Sequence, residues 1–174
     1  MSQILSFEGK SPRIHGKAFI APNAYVIGDV EIGHSSNIWY GSTLRGDTNV
    51  IRIGKNVNIQ DGTVIHVATH GQGSYIEDDV SIGHMALIHA CTIKKQAFIG
   101  MKACVMDGAV VEESAMVAAA AVVTPGKHVP SGQLWAGTPA RYVRDLTEED
   151  YKMMSWTAQH YVELSRKHRN SLII

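Results

Sequence analysis

Three of the nine histidines in this 174-residue chain, His66, His84 and His89, could together bind a metal ion. Neutral imidazole is the commonest protein ligand for transition metals. Three imidazoles and one open coordination position form a familiar catalytic zinc site, which lowers the pKa of bound water to about 7. The chemistry that these residues could support is therefore attack by a metal-activated hydroxide. Whether they can converge depends on the elements that carry them.

An aliphatic residue recurs at every sixth position over most of the chain. The positions are Ile14, Ile20, Val26, Ile32, Ile38, Leu44, Ile53, Ile59, Ile65, Ile76, Ile82, Ile88, Ile93, Ile99, Val105, Val111, Val117, Val123 and Val129. A period of six fits neither a helix nor a plain strand, and it is typical of a parallel β-helix built from hexapeptide repeats. We therefore predict an all-β solenoid over about residues 14–135, with three short strands in each coil of about 18 residues.

The repeat is broken in three places, and the breaks flank the histidines. If the extra residues lie at corners, the aliphatic residues that precede Arg45, His66 and His89 stack on one face. Because side chains alternate along a strand, these three residues then form an outward-pointing column. The sequence thus predicts that His66 and His89 are neighbours in adjacent coils, about 5 Å apart at the backbone.

His84 is expected on a different face of the prism, where it cannot easily reach an ion held by His66 and His89 of the same chain. A second subunit could supply it. We therefore expect a homotrimer with three interfacial metal sites, each with two histidines from one chain and one from the next. A single chain is expected to leave Trp39 exposed. His70 starts a corner loop and is expected near the site.

Composition restricts the partners. Sixteen basic residues balance sixteen acidic ones, so nothing favours nucleic acid or an anionic membrane. The start of the chain lacks a secretory pattern, and no apolar stretch approaches membrane-spanning length. Cys91 and Cys104 are expected to be reduced thiols. We predict a cytoplasmic protein that acts on a small-molecule substrate.

The two ends are expected to differ from the solenoid, although residues 1–174 should form a single domain. The residues before Ile14 are predicted to be a polar lead-in. A helix is predicted over about 147–170, with Thr147 as N-cap and an acidic first turn. This helix should pack along the prism, and Tyr161 could then reach the site.

Three segments, IWYGSTLRGD, NIQDGTVIHV and IGHMALIHACTI, resemble the γ-class carbonic anhydrase family. The family includes shorter bacterial members described as ferripyochelin-binding or carnitine-operon-like proteins, and the resemblance covers about residues 10–145. It implies a left-handed parallel β-helix that assembles as a homotrimer, with metal between subunits. The ion would be Zn²⁺, and imidazole ligands also accept Fe²⁺ or Co²⁺.

The resemblance also implies residue roles. The three histidines would be the metal ligands, and Gln60 would hydrogen-bond the metal-bound water or the substrate. Arg45, Asp47 and Asp61 would form an interfacial salt-bridge network that orients the site. Larger, strongly active members carry a proton-shuttling glutamate where this chain has Thr48. Because CO₂ hydration must export a proton in every cycle, we expect slow turnover.

Other functions are compatible with the repeat. Many hexapeptide-repeat trimers are acyltransferases that bind acyl-CoA between subunits and use one histidine as general base. A metal-dependent thioesterase-like hydrolase could direct the same hydroxide at an acyl carbonyl, and a scaffold could hold metal without turnover. A single general base would not need three converging histidines, so the sequence favours a carbonic anhydrase-like lyase.

Overall fold

The computed structural model describes residues 3–172 and has twenty strands and one helix in that range. The strands are β1 (Gln3–Leu5), β2 (Arg13–Ile14), β3 (Phe19–Ile20), β4 (Tyr25–Ile32), β5 (Asn37–Ile38), β6 (Thr43–Ile53), β7 (Asn58–Ile59), β8 (Val64–His66), β9 (Ser74–Ile76), β10 (Ser81–Ile82), β11 (Leu87–His89), β12 (Thr92–Ile93), β13 (Phe98–Ile99), β14 (Cys104–Val105), β15 (Val110–Val111), β16 (Met116–Val117), β17 (Val122–Val123), β18 (His128–Val129), β19 (Gln133–Ala136) and β20 (Arg141–Asp145). The helix is α1 (Glu148–Ser171).

Each strand pairs with the strand one coil away, which gives the predicted parallel β-helix with a C-terminal helix. The pairing is parallel, as between β8 and β11 or β10 and β13, except that β20 runs antiparallel to β19. Two faces are joined in one sheet because β4 and β6 run through the corner between them. The fold prediction is confirmed.

The face that carries the histidines is built from the first halves of β4 and β6 with β8, β11, β14 and β17, and we call it the histidine face. Leu44 pairs with Ile65, and Ile65 pairs with Ile88. All three side chains are fully buried inside the prism. The predicted stack is therefore confirmed, and the residue after each aliphatic one points outward.

The amino-terminal segment differs from the prediction. Gln3–Leu5 pairs in parallel with Tyr25–Ile27, so the segment before Ile14 contributes a strand and is not only a lead-in. The six-residue repeat could not reveal this strand because it lies outside the periodic series. Met1 and Ser2 lie outside the described residues.

Helix α1 begins where the sequence predicts. The Thr147 side chain accepts the Asp150 N–H, and the Asp150 carboxylate accepts the Thr147 N–H at 2.8 Å, which makes a capping box. The helix packs on β3, β5, β7 and β10, which belong to a second face that we call the helix face. None of the helical structure within residues 3–172 is long and apolar enough to cross a membrane.

The helix covers Trp39, so the expectation that a single chain exposes this residue is wrong. Trp39 is 3 % exposed, and its ring contacts Tyr161 and His168 of α1 with ring centroids 5.3 Å and 4.9 Å apart. The repeat shows that Trp39 follows a strand, but it does not show which face the helix occupies. Cys91 and Cys104 are free thiols, as predicted.

Candidate metal centre

His66 and His89 end β8 and β11 and are paired in register. Both follow a buried isoleucine, so both rings point out of the prism. Their ring centroids are 5.2 Å apart, and Nδ1 of His66 lies 3.2 Å from Nε2 of His89. The structure thus brings together the two imidazoles that the stacking argument placed in adjacent coils.

A carboxylate holds the other nitrogen of each ring. Asp47 Oδ1 lies 3.0 Å from Nε2 of His66, and Asp107 Oδ1 lies 2.7 Å from Nδ1 of His89. A carboxylate accepts hydrogen bonds, so each of these ring nitrogens is the one that carries the proton in the neutral imidazole. The remaining two nitrogens have free lone pairs, and these are the atoms that face each other.

This arrangement fits a divalent metal ion. Two nitrogen ligands at 2.0–2.1 Å from a tetrahedral ion lie about 3.3 Å from each other, close to the observed separation of 3.2 Å. Metal-binding histidines typically donate their second N–H to a carboxylate, as His66 and His89 do here. One chain therefore presents two preoriented nitrogen atoms that are candidate ligands.

His84 lies apart from this pair, in the corner that leads into β11. Its Nδ1 is 2.9 Å from Asp61 Oδ2, so Nε2 is the ring nitrogen without a proton in the neutral imidazole. The five residues from His84 to His89 cross the width of the histidine face, a span of up to about 17 Å. Within residues 3–172 of one chain, no three His, Cys, Asp or Glu side chains are placed to share an ion.

The charged residues expected around the site form two separate groups in one chain. Arg45 pairs with Asp47, which in turn contacts His66, whereas Asp61 contacts His84. Burial alone would raise the pKa of Asp47, but hydrogen bonds from Arg45, His66 and the Thr48 N–H outweigh it and lower this pKa to about 2. Asp47 is therefore a fixed anion at neutral pH.

Gln60 is almost fully buried where the chain leaves β7 for the corner that precedes β8. Its side-chain amide donates to Asn58 Oδ1 at 2.9 Å, and the Asn58 amide donates to Ser81 Oγ at 2.7 Å. This ladder of side-chain hydrogen bonds fixes the rotamer of Gln60. The residue is thus rigidly placed, one position before Asp61.

Tyr161 reaches the His84 corner from helix α1. Its hydroxyl lies 3.5 Å from Nε2 of His84, and its ring packs edge-on against Trp39. Burial raises the pKa of Tyr161, and the charge of Asp61 adds to this effect. The hydroxyl is therefore protonated at neutral pH and can donate a hydrogen bond.

Sequence reasoning missed Asp107, although a signal was available. Asp107 lies 18 residues after His89, which is one coil, so the repeat itself places it beside the histidine. His70 is exposed in the loop between β8 and β9, and within the described residues it makes no hydrogen bond to His66 or His89. Its proximity to the site stays a prediction.

Known proteins are similar to this chain in sequence. Residues 11–46 match the family model described as Bacterial transferase hexapeptide (six repeats). Gamma carbonic anhydrase 2, mitochondrial, of Arabidopsis thaliana is 48% identical over 164 residues, which are 91% of this chain and 59% of that protein. The carbonic anhydrase of Geobacillus kaustophilus (strain HTA426) is 38% identical over 160 residues, which are 92% of this chain and 87% of that protein.

A solved structure agrees with this similarity. The hexapeptide transferase family protein from Anaplasma phagocytophilum is 46% identical and superposes with a TM-score of 0.91, over 95% of this chain and 97% of that one. Fold and repeat together define a hexapeptide-repeat β-helix protein. The chain belongs, more narrowly, to the γ-class carbonic anhydrase family. It spans about three fifths of the length of the Arabidopsis relative.

Proposed function

We propose that this protein is a carbonic anhydrase-like lyase that converts CO₂ to bicarbonate at a metal site shared between subunits. The observation that carries the proposal is the pair of free nitrogens on His66 and His89, which face each other at 3.2 Å. The carbonic anhydrase names of the Arabidopsis and Geobacillus relatives support the choice of reaction. Zn²⁺ is the proposed ion, because three imidazoles with an open position suit catalytic zinc.

A homotrimer would complete the site. His84 and the His66–His89 pair lie at different places on each chain, so a closed ring of three copies can bring His84 of one chain to the pair of the next. The outward surface of the histidine face supports this arrangement. Tyr25, Val64 and Leu87 lie along it and are 42%, 40% and 39% exposed. Apolar side chains clustered beside candidate ligands are typical of an interaction surface.

The roles of the chain's own residues follow from their contacts. When bound, Zn²⁺ supplies hydroxide at neutral pH, because it lowers the pKa of its water ligand to about 7. Asp47 and Asp61 keep the N–H side of His66 and His84 engaged, so that the free nitrogens point to the ion. Gln60, fixed by its ladder, would hydrogen-bond the substrate, and the Tyr161 hydroxyl would donate beside His84.

Proton export sets the expected rate. Thr48 is exposed and follows Asp47 directly. The family resemblance implies that strongly active members carry a proton-shuttling glutamate at this position. A threonine hydroxyl does not titrate near neutral pH, so it cannot take a net proton from the site and pass it to buffer. We therefore propose slow turnover that depends on the buffer.

The experiment that tests this function uses protein purified without added metal. We expect about one metal ion per chain and CO₂ hydration in stopped flow, with activity lost to a chelator and restored by Zn²⁺. His128→Ala is a matched control, because His128 lies on another face, where it pairs with Glu112. A metal-free protein that binds acyl-CoA would overturn the proposal in favour of an acyltransferase. Metal-dependent cleavage of acyl thioesters without CO₂ hydration would favour the thioesterase-like hydrolase, and bound metal with neither activity would favour a scaffold.

A further inference from the structure

Asp107 contacts the candidate site through Nδ1 of His89. Its Oδ1 lies 2.7 Å from Nδ1 of His89, while Nε2 of the same ring faces His66. The Asp107 side chain is 45 % exposed, and an exposed polar contact of this kind ordinarily adds little to stability. What distinguishes this pair is that the opposite nitrogen of the imidazole is a candidate ligand.

The backbone around Asp107 is fixed from both sides. Its carbonyl accepts the Gly126 N–H at 2.8 Å from the following coil. The next residue, Gly108, donates its N–H to Ala90 O at 2.7 Å in the preceding coil, directly after His89. The carboxylate is thus held beside His89 by hydrogen bonds to both neighbouring coils, and its place does not depend on a flexible loop.

We propose that Asp107 is a positioning residue that acts through His89, an inference that rests on the proposed metal function. By accepting the Nδ1 proton, its carboxylate selects the tautomer with a free Nε2 and orients the ring toward His66. An imidazole with the opposite tautomer would present a proton to the ion and could not bind it. Asp47 and Asp61 do the same for the other two histidines, so each candidate ligand has its own carboxylate.

The test measures metal affinity and not only activity. Zn²⁺ affinity of the intact protein is determined by competition with a chelator, in the wild type and in Asp107→Asn. Losses of about 10–100-fold are typical when a carboxylate behind a metal-bound histidine is removed, and we expect this range. Asp107→Glu should restore most of the affinity, since it keeps an anionic acceptor. Glu113→Gln, which removes an exposed charge at a neighbouring corner, is the matched control.

Repeating the Zn²⁺ affinity measurement at high salt shows whether Asp107 acts by its hydrogen bond to His89 or only by its charge. A solvent-exposed charge acting at a distance is screened within about 3 Å at 1 M salt, whereas a direct hydrogen bond persists. We therefore expect the ratio of the Zn²⁺ affinities of the wild type and Asp107→Asn to be the same at low and high salt. The spectrum of bound Co²⁺ should also change in Asp107→Asn, because the His89 ring is no longer fixed.

The outcomes distinguish this inference from the proposed function. A wild-type protein that binds no Zn²⁺ would overturn the proposed function itself. A wild type that binds Zn²⁺, with Asp107→Asn binding equally well or losing its deficit at high salt, would overturn only the role of Asp107. Circular dichroism verifies folding, and Asn is well tolerated in turns. If Asp107→Asn nevertheless misfolds, Asp107→Glu decides: full affinity supports the inference, and loss of affinity with an intact fold overturns it.

Discussion

Nδ1 of His66 and Nε2 of His89 face each other at 3.2 Å although 23 residues separate them along the chain. The solenoid produces this proximity because β8 and β11 are adjacent strands in register. Each ring is held from behind, by Asp47 and Asp107 respectively. His66 and His89 thus form a preoriented pair, which we call the candidate half-site, and the following predictions concern how it is completed and used.

Mixing two inactive variants should restore activity. His84→Ala and His89→Ala each remove one proposed ligand, so each alone should lose metal and CO₂ hydration. In mixed trimers, some sites receive the histidine pair from the first variant and His84 from the second. With equal, random exchange, about a quarter of the sites would be complete. The recovery is measured as the rate of CO₂ hydration in stopped flow and as metal content, before and after subunit exchange.

The control for that experiment mixes His66→Ala with His89→Ala. Both residues belong to the same chain's half-site, so no mixed site is ever complete and activity should stay absent. Recovery in this control, or none in the first mixture despite confirmed mixed trimers, would show that the ligands are not divided between chains as proposed.

Arg45→Ala tests whether the Arg45–Asp47 pair acts across subunits. A simple exposed ion pair would contribute about 0–1 kcal/mol. If assembly buries the pair, removal of one partner should cost about 3–5 kcal/mol, because Asp47 is left without its counter-charge. We expect weaker trimers and lower metal content, measured by sedimentation and metal analysis. Lys94→Ala, which breaks the pair with Glu112, should change neither quantity and is the control. If Arg45→Ala also changes neither, the Arg45–Asp47 pair is an ordinary surface ion pair.

Thr48→Glu should accelerate turnover in weak buffer. A glutamate here would sit beside Asp47 and provide a group that exchanges protons with solvent. Proton transfer by a placed side chain commonly contributes about 10²–10⁴-fold, and a gain of about tenfold or more is expected here. Wild-type rates should rise with added imidazole buffer, whereas the variant should depend less on it. Thr48→Gln controls for size. Rates indifferent to buffer in every variant would mean that proton export does not limit turnover.

Tyr161→Phe should reduce rate without removing metal. The ring would keep its contact with Trp39, so the helix should stay in place. Loss of one neutral hydrogen bond of about 1 kcal/mol corresponds to a several-fold decrease in kcat/KM, up to about tenfold. Kinetics and metal content are measured on the same preparation. If metal content falls as much as activity, Tyr161 has a structural role at His84 and not a role toward substrate.

Asp150 should make the helix sensitive to acid. The Arg144 guanidinium, with the Thr147 N–H, holds the pKa of Asp150 well below its usual range. A lowered folded-state pKa gives stability that is fully present above the unfolded value of about 3.9 and is lost progressively as pH falls from there through the folded-state pKa. At pH 7 we expect Asp150→Asn to be less stable by about 0.3–1 kcal/mol. Thermal unfolding should show that this difference shrinks toward pH 2; a difference independent of pH would contradict the assignment.

Periodicity was sufficient to predict the solenoid and the His66–His89 pair. An inward aliphatic residue in every hexad fixes which strands stack, and stacking determines which outward residues become neighbours. The N-cap of α1 was also predictable, because Thr147 and its acidic first turn are a local signal.

Other features depend on three-dimensional packing. The burial of Trp39 could not be predicted, since no local pattern tells which face receives a helix that follows more than a hundred residues later. The strand at Gln3–Leu5 has no hexad of its own and is recruited only because Tyr25–Ile27 offers an open sheet edge. The coil stacking that pairs the two histidines also places Asp107 beside His89. Aspartate is common in turns for other reasons, however, so the sequence alone did not mark it as part of the site.

The coil-by-coil pairing of strands also has a consequence for how the chain length can vary. Because each coil contacts mainly its two neighbours, the half-site depends on a short block of consecutive coils between Arg45 and Asp107. An extra coil inserted after Val111 would lengthen the prism by about 4.8 Å and leave every distance in that block unchanged. The same coil inserted between His66 and His89 would separate them by that amount. Growth by duplication after Val111 would therefore spare the histidine pair and displace the start of α1, whereas growth between the two histidines would destroy the pair.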